Sequence, residues 1–552
     1  IGVNQSLING ESSDGSIRFN AGIISDDLRT GFNLYGFQRS RDPWDANSDG
    51  FSELTKLRNT TFGLDAFLKP SVRSKWRLHL NTINEFRRGG NKFDLEPHQT
   101  DITEQLQHRI NGGGLSYEWT SPDYAHRVSA YTSAQHVDRR SYYGGGGRVL
   151  QPGDSLTEDD ILALNAYGRS EDISLVSGAQ WAFDLNKQMI LTLGSEYQFN
   201  NVQDRMPGYD RQITQRVGTL GSYAQLEYDP TDQLCLLIGG RFDQVRIDGN
   251  YRLGQEIFEN KRNLPVFVPR LTAKYDLSEY LALRASYAQG YRAPQAFDED
   301  LHIETVGGAA RFIRLDPNLE TERSDSYTAS INFNQSTGSA QSSIVLEAFR
   351  TRLQNPFILS GQVELPSGIA IITKRNGDGA VVQGSNLEAN YALGQRWIFQ
   401  GGATWQSAKY VNPELLWESE DPNETIEPSV AENLLRTPDV YGFFTATWNG
   451  PRHWAVTLSG TFTGAMDVPH VIDTETERTI IERSPSFFEA NTKISYDWRL
   501  KKQLKLQLSA GVQNMLNAFQ DDFDLGATRD AGYVYGPLRP RTFFFALNLD
   551  LD

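Results

Sequence analysis

The sequence predicts an all-β fold, a 22-stranded antiparallel transmembrane β-barrel with short periplasmic turns and long extracellular loops. Three observations lead to it. Apolar and polar residues alternate with a period of two in many short runs, which is typical of strands with two different faces. Ten short polar connections recur about every 45 to 64 residues. Long polar stretches lie between them, and short turns alternating with long loops are typical of outer-membrane barrels.

The last strand shows the alternation most clearly. From Phe543 onward, every second residue is apolar and the intervening positions end in Asn548, Asp550 and Asp552. A soluble sheet packed on a dry core explains one such hairpin equally well. Elsewhere, however, the polar side of predicted strands carries arginine and amide residues, such as Arg18, which favours a hydrated lumen over a dry core.

The ten short connections set the strand number. Ten turns separate eleven hairpins, which gives about 22 strands, an even number as in bacterial single-chain barrels. The turns are built mostly from residues that tight turns require. They are predicted at residues 26–27, 71–74, 121–123, 185–187, 230–232, 277–279, 336–338, 393–395, 450–451 and 500–501.

Composition excludes several other classes of protein. The mean hydropathy is −0.49, and no apolar run approaches the ~18 residues of a membrane helix. With 53 basic and 69 acidic residues the net charge is −16, which gives no electrostatic support for nucleic-acid binding. A single cysteine, Cys235, permits no internal disulfide and is predicted to lie in the wall. The sequence begins without a recognisable signal peptide, so we expect either that a signal peptide has been removed or that the sequence begins inside a longer precursor.

The long loops are predicted to lie outside the cell. They run roughly over residues 39–58, 87–109, 139–170, 292–325, 356–384, 410–436 and 519–541. Tyr142 and Tyr143 precede four consecutive glycines, a pattern that predicts a flexible loop tip with two aromatic ligand contacts. The glycines are not followed by the lysine of a phosphate-binding loop. Acidic residues between Glu418 and Glu427 favour a neutral or metal-shielded ligand over a strongly anionic one.

One loop contains a candidate calcium site. Asp45, Asn47 and Asp49 place oxygen atoms at every second residue and Gly50 follows, as in the first half of an EF-hand loop. The usual twelfth-position glutamate is replaced by Lys56, although Glu53 is close enough in sequence to substitute. A solvated turn without an ion explains the same residues.

Two motifs resemble those of TonB-dependent outer-membrane transporters. Asn514 to Asn517, followed by residues 533–537 and 540–542, is similar to the C-terminal signature of that family. Residues 290–294 (GYRAP) and 316–320 (DPNLE) are similar to its (F/Y)RAP and NPxL boxes. The resemblance covers essentially all of residues 1–552, as one barrel domain. Residues 86–95 and 298–302 further resemble members from Bacteroidetes-type bacteria.

The resemblance implies active import of a scarce metal chelate, namely a siderophore, haem or cobalamin, and no bond-making chemistry. It implies outer-membrane lipid, the TonB complex and a surface lipoprotein as partners. The family's plug domain is not recognised here, so a trimmed or separate plug is expected. The alternative is a plugless channel or a scaffold in a larger assembly.

The resemblance also directs the choice of ligand contacts. His302 lies between the two boxes, where haem-importing relatives place an iron ligand, although a lone loop histidine is usually a plain surface residue. Tyr291 and Arg292 come from the first box, and His98 lies on another loop. Together with Tyr142 and Tyr143 these residues are the candidate substrate contacts. No cofactor is required by this function.

Overall fold

The computed structural model describes residues 1–296, 304–306, 309–364, 370–419, 423, 426–473, 478–501, 503–527 and 529–551. Within these residues 22 strands form one closed antiparallel barrel, in which each strand pairs with the next and β29 pairs with β1. Leu547 lies opposite Val3 on one side and Leu508 on the other, so the ring closes through the predicted final strand. The prediction of an all-β, closed, 22-stranded antiparallel barrel is confirmed.

The strands and helices follow one another along the chain with few interruptions. The strands are β1 (Gly2–Ile8), β2 (Ser12–Ile24), β3 (Thr30–Arg41), β4 (Ser52–Ser71), β5 (Ser74–Gly90), β6 (Ile102–Thr120), β7 (His126–Gly145), β8 (Tyr167–Asn186), β9 (Met189–Met206), β10 (Arg211–Thr231), β11 (Leu234–Leu253), β12 (Glu256–Asp276), β13 (Leu281–Arg292), β14 (Glu304–Val306), β15 (Ala309–Leu315), β16 (Glu322–Thr337), β17 (Ala340–Gln354), β18 (Phe357–Glu364), β19 (Ala370–Asn376), β20 (Ala380–Leu393), β21 (Trp397–Trp417), β22 (Ser429–Asn433), β23 (Val440–Asn449), β24 (Trp454–Thr463), β25 (Asp467–Asp473), β26 (Arg478–Arg483), β27 (Phe487–Lys501), β28 (Leu504–Gln513) and β29 (Thr542–Leu551). One α-helix, α1 (Glu158–Asn165), and three short 3-10 helices (Pro97–Gln99, Pro207–Tyr209 and Pro451–His453) complete the described elements.

Seven of these strands lie in the loops rather than in the ring. β14, β15, β19 and β18 form a small four-stranded sheet, in which β15 and β19 run parallel. β25 and β26 form a separate hairpin, and β22 adds to the upper part of β21. The long loops therefore carry their own hydrogen-bonded structure.

The predicted short turns all fall between consecutive barrel strands at one end. The predicted loop boundaries at the other end were wrong, because many strands continue well beyond the length that a membrane requires. The loop predicted at residues 139–170, for example, spans only 146–166 between β7 and β8. The connection between β1 and β2 is also short, although it lies at the long-loop end.

The outer face of the barrel is apolar over its middle. Large hydrophobic side chains stay exposed there, for example Ile17 (53%), Ile23 (64%), Phe543 (51%) and Phe545 (52%). A contiguous exposed apolar surface of this extent belongs against lipid rather than water. On the inner face polar groups contact one another, as where His79 Nδ1 lies 2.6 Å from Asp65 Oδ1.

None of the described helices has both the length and the apolar character needed to span a membrane, a criterion that does not address strands.

Candidate functional site

A pocket of about 290 Å³ opens at the mouth of the barrel, between the inner face of β4–β6 and the last loop, residues 514–541. We call it the mouth pocket. The barrel wall contributes polar groups from Arg87 and Glu104 and an apolar surface from Leu106. The last loop contributes Asp524 and Tyr533. Both charge signs and an aromatic ring thus converge on one cavity, which suits a polar ligand with a rigid ring or chelate.

The last loop owes its shape to two buried amides. Gln520 is 1% exposed; its Nε2 donates to Tyr533 O (3.0 Å) and its Oε1 accepts from Tyr535 N (2.8 Å) and Gly536 N (3.2 Å). Asn514 Nδ2 donates to Ala518 O and to Arg539 O, at 3.0 and 2.9 Å. These bonds satisfy backbone groups that would otherwise be buried unpaired. They hold the pocket's loop wall in one conformation.

One wall of the mouth pocket contains a buried ion pair. Glu53, with a side chain 4% exposed, accepts from Arg529 Nη1 at 3.0 Å, and the guanidinium lies 4.8 Å from the centre of the Phe51 ring. Burial raises the pKa of the Glu53 carboxyl. The hydrogen bond from the Ala46 N–H and the charge of Arg529 lower this pKa, but by less, so the net shift is upward. The pair ties the start of β4 to the last loop, and Glu53 also accepts from the N–H of Ala46 in the loop at residues 42–51.

A charged cluster on β25 and β26 continues the pocket wall. His470 lies between two carboxylates, with Nδ1 2.8 Å from Glu482 and Nε2 3.0 Å from Asp524, and its ring stacks on Tyr533 with centroids 3.7 Å apart. Partial burial lowers the pKa of His470, but the hydrogen bonds to Glu482 and Asp524 outweigh it, so the pKa is raised above its usual value. The His470 imidazole therefore joins the hairpin to the last loop through its contacts with Glu482 and Asp524.

The loop between β13 and β16 folds inward onto the barrel wall. The backbone N–H and C=O of Ala296 both bond the side-chain amide of Gln215, each at 2.9 Å, and Gln215 is 3% exposed. Leu315 and Leu319 pack with Ile213 and its neighbours on the inner wall. These contacts anchor the described ends of this loop, beside its first box and at its second, to the inner wall.

Tyr142 and Tyr143 do not form the predicted loop tip, an interpretation that the structure shows to be wrong. Both lie in β7, at 0% and 1% exposure, within a hydrophobic core of the loop region. Tyr143 lies opposite Glu104, on the pocket side of the wall, so Tyr142 points to the other side. His98 also lies on the side of the wall away from the mouth pocket, where its Nδ1 is 3.0 Å from the hydroxyl of Tyr167. The Tyr142 ring also packs edge-on against Tyr167, with centroids 4.7 Å apart, so Tyr142 and His98 share this neighbour, although neither lines the mouth pocket.

Tyr291 and Arg292 lie on the side of the mouth away from the mouth pocket. The Tyr291 hydroxyl donates to Asp243 Oδ2 at 2.9 Å, and the Arg292 guanidinium lies 5.7 Å from the centre of the Phe357 ring. His302 lies outside the described residues. A ligand role for each of these three residues stays a prediction.

The candidate calcium loop bonds to its own backbone. Asp45 accepts from the N–H groups of Ser48 and Gly50, both at 2.7 Å. Asn47 and Asp49 likewise accept from N–H groups two residues further on. Among the described residues, only Glu227, Asp229 and Cys235 bring three potential metal-ligand atoms within 4.8 Å of one another. Calcium binding by Asp45, Asn47, Asp49 and Glu53 stays a prediction.

Several site residues had no sequence signal. His470 lies in the short loop strand β25 and Gln520 in the irregular last loop, and no motif marks either residue. Tyr533 lies within the C-terminal signature, which therefore pointed to the correct loop without indicating the role of this ring. Arg87 lies in the stretch that resembles Bacteroidetes-type members.

Comparisons with known proteins agree with this architecture. Residues 18–515 match the family described as TonB dependent receptor-like, beta-barrel. The ferripyoverdine receptor of Pseudomonas aeruginosa is 26% identical over 211 residues, which are 36% of this chain and 23% of that receptor. The match therefore spans less than a quarter of the relative's length.

Solved structures show the same fold at low identity. The siderophore receptor PirA from Acinetobacter baumannii superposes with a TM-score of 0.68 at 13% identity, over 99% of this chain and 79% of that chain. A variant of the ferric enterobactin receptor PfeA from Pseudomonas aeruginosa gives a TM-score of 0.69 at 14% identity, over 100% of this chain and 79% of that chain. No match bears on the predicted Bacteroidetes origin.

Proposed function

Because this chain belongs to the TonB dependent receptor-like β-barrel family, we propose that it imports a scarce metal chelate, and that the chelate is a siderophore. Barrels of this family lie in the outer membrane of Gram-negative bacteria and serve transport rather than catalysis, in agreement with the predicted location and the absence of an enzyme activity. The finer statements below are our proposal.

The observation that carries the proposal is the mouth pocket. It opens at the long-loop end of a wide barrel, and folded loops rather than free chain enclose it. Arg87 and Tyr533 offer a donor and an aromatic ring to the oxygen-rich surface of a chelate, while Asp524 and Glu104 leave room for a cationic substituent. A pocket lined in this way selects by shape and charge together.

The choice of siderophore over haem or cobalamin rests on the relatives. The three compared proteins are named as receptors for siderophores or their ferric complexes, and the chain shares their fold. Haem would need an iron ligand such as His302. The acidic residues Glu482 and Asp524 beside the pocket favour a chelate that is not strongly anionic.

Energy for import would come through TonB and a plug domain. A 22-stranded barrel is too wide to stay open without harm, and in characterised cases it is plugged. The surface lipoprotein partner suggested by the sequence also stays a prediction. TonB and the lipoprotein would each act on the complete protein rather than on the mouth pocket itself.

Uptake of a radiolabelled ferric siderophore tests the proposal. Cells that carry the complete gene should accumulate label, and cells that lack either this gene or TonB should not. Uptake that persists without TonB would refute energised import. A large steady conductance of the complete protein in planar bilayers would instead support a passive channel.

A further inference from the structure

Three neighbouring periplasmic turns enclose a basic pocket at the inner lip of the barrel. The pocket has a volume of about 430 Å³ and lies where β2 joins β3, β4 joins β5 and β6 joins β7. We call it the lip pocket. It lies at the opposite end of the barrel from the mouth pocket. Its charged lining residues are Arg29, Lys69, Arg73 and Lys75 on the basic side and Asp27 and Glu118 on the acidic side.

The two lysines face the lumen rather than the lipid. Lys69 lies four residues beyond Asp65 in β4, and Lys75 lies four residues before His79 in β5. Asp65 and His79 are paired on the inner wall, and residues four positions apart in a strand share a face. Leu68, the neighbour of Lys69, is instead 48% exposed on the outer side. The lysines therefore point away from the lipid headgroups.

Both ammonium groups converge on one aromatic ring. Lys69 Nζ lies 5.4 Å and Lys75 Nζ lies 5.1 Å from the centre of the Phe67 ring. The ring attracts each ammonium group but does not neutralise its charge. Two like charges held beside one ring repel each other, and this repulsion increases as water is excluded. A bound anion offsets the repulsion.

The acidic residues of the lip pocket are engaged elsewhere. Glu118 forms an ion pair with Arg77, which lies further along β5. Asp27 accepts hydrogen bonds within its own turn, from Ser25 Oγ at 2.6 Å and from the backbone N–H of Arg29 at 3.0 Å. The Arg29 guanidinium also lies 4.0 Å from Asp27. These contacts neutralise Arg29 and Arg77 and leave the other cations of the pocket without an acidic partner.

Three positive charges remain in the lip pocket. In the part of the chain that the structure describes, Lys69, Arg73 and Lys75 form no ion pair, although all three line the same cavity. This concentration of positive charge stands in a chain whose net charge is −16. The pocket therefore calls for an anion that carries more than one charge.

Hydroxyl groups complete the lining. The Oγ atoms of Ser71 and Ser74 lie 2.8 Å apart, and Thr120 and Tyr124 also line the cavity. Hydroxyl, ammonium and guanidinium groups all donate to oxygen acceptors. A phosphate group is close to dianionic and presents oxygen atoms in several directions, whereas a single carboxylate is planar and carries one charge. The lining thus favours phosphate over a monocarboxylate.

We propose that the lip pocket binds a phosphate group, in inorganic phosphate or in a soluble phosphate monoester that reaches it from the lumen or the periplasm. Lysine binds phosphate as a point charge and arginine binds it through paired N–H donors, and Lys69, Lys75 and Arg73 supply both kinds of contact. The inference does not depend on which chelate the mouth pocket captures.

Calorimetric titration of the complete receptor in detergent, with inorganic phosphate and separately with glycerol phosphate, tests the inference. The variant carries Lys69→Gln and Lys75→Gln, and the control carries Lys187→Gln and Arg452→Gln in other periplasmic turns. One charge-assisted hydrogen bond is worth about tenfold in affinity and solvent offsets part of this, so the variant should bind both anions roughly 20-fold more weakly. The control should bind as the unaltered protein does. Whichever anion binds more tightly identifies the source of the phosphate group.

Three results would overturn the inference. Equal phosphate affinity of the variant and the control, with the same far-ultraviolet circular dichroism, would show that the lysines do not hold the anion. Acetate binding as tightly as phosphate would indicate a cationic surface without selectivity. No phosphate binding by the complete receptor at millimolar concentration would mean that acidic side chains of the complete protein occupy the lip pocket instead.

Discussion

Gln520 is the residue on which the shape of the last loop depends most. The variant Gln520→Met keeps the side-chain volume but removes three hydrogen bonds, to Tyr533 O, Tyr535 N and Gly536 N. Each buried group left unpaired costs about 1 to 3 kcal/mol, and water entering the loop recovers part of that. We therefore expect the opening free energy of the loop to fall by about 3 kcal/mol.

Hydrogen exchange measures this change directly. A loss of about 3 kcal/mol makes exchange through local opening roughly 150-fold faster, because 1.36 kcal/mol is a factor of ten. The effect should appear in peptides that cover Tyr533 to Gly536 and be absent from the barrel strands. Gln188→Met, an exposed amide in a periplasmic turn, is the matched control. Unchanged exchange in the Gln520→Met loop would refute the role assigned to this side chain.

Three further predictions concern the other contacts of the mouth. The pKa of His470 is raised in the folded protein, so its pairing with Asp524 is complete below about pH 6.5 and is lost as pH rises through the raised value. Hydrogen exchange of the last loop should become faster over that pH range. The variant His470→Gln should abolish this pH dependence. Gln215→Leu leaves both backbone groups of Ala296 unpaired and should loosen that loop by about 2 to 4 kcal/mol, seen as faster limited proteolysis near residue 296. Arg529→Met leaves a buried carboxylate without its cation and should lower thermal stability by about 3 kcal/mol at neutral pH but less in acid, where the carboxyl is protonated.

The barrel wall was predictable because its determinants are local. Alternation in β29 and the short turns follow from neighbouring residues, and one slip of register would expose every polar residue to lipid. The strand number then follows from the number of turns. The length of the strands could not be predicted from the sequence. Where the strands extend beyond the membrane on the extracellular side, both of their faces become polar or buried, so the alternation disappears.

The mouth was less predictable because distant residues define it. Gln215 bonds Ala296 across 81 positions of sequence, and Arg529 reaches Glu53 across 476. Tyr142 and Tyr143 were placed at a loop tip because four glycines follow them. Pairing of β7 with β6 continues through Gly145, so both tyrosines lie within a strand rather than at a loop tip. The C-terminal signature did identify the loop that carries Tyr533.

Equilibrium binding of a panel of ferric siderophores to the complete receptor, measured beside an Arg87→Ala variant, tests the central claim most directly. We predict that one chelate class binds in the micromolar range or tighter, and that Arg87→Ala weakens it at least tenfold while the fold is unchanged. If no ferric chelate binds, or if binding is indifferent to Arg87, then the mouth pocket is not where this barrel captures its ligand.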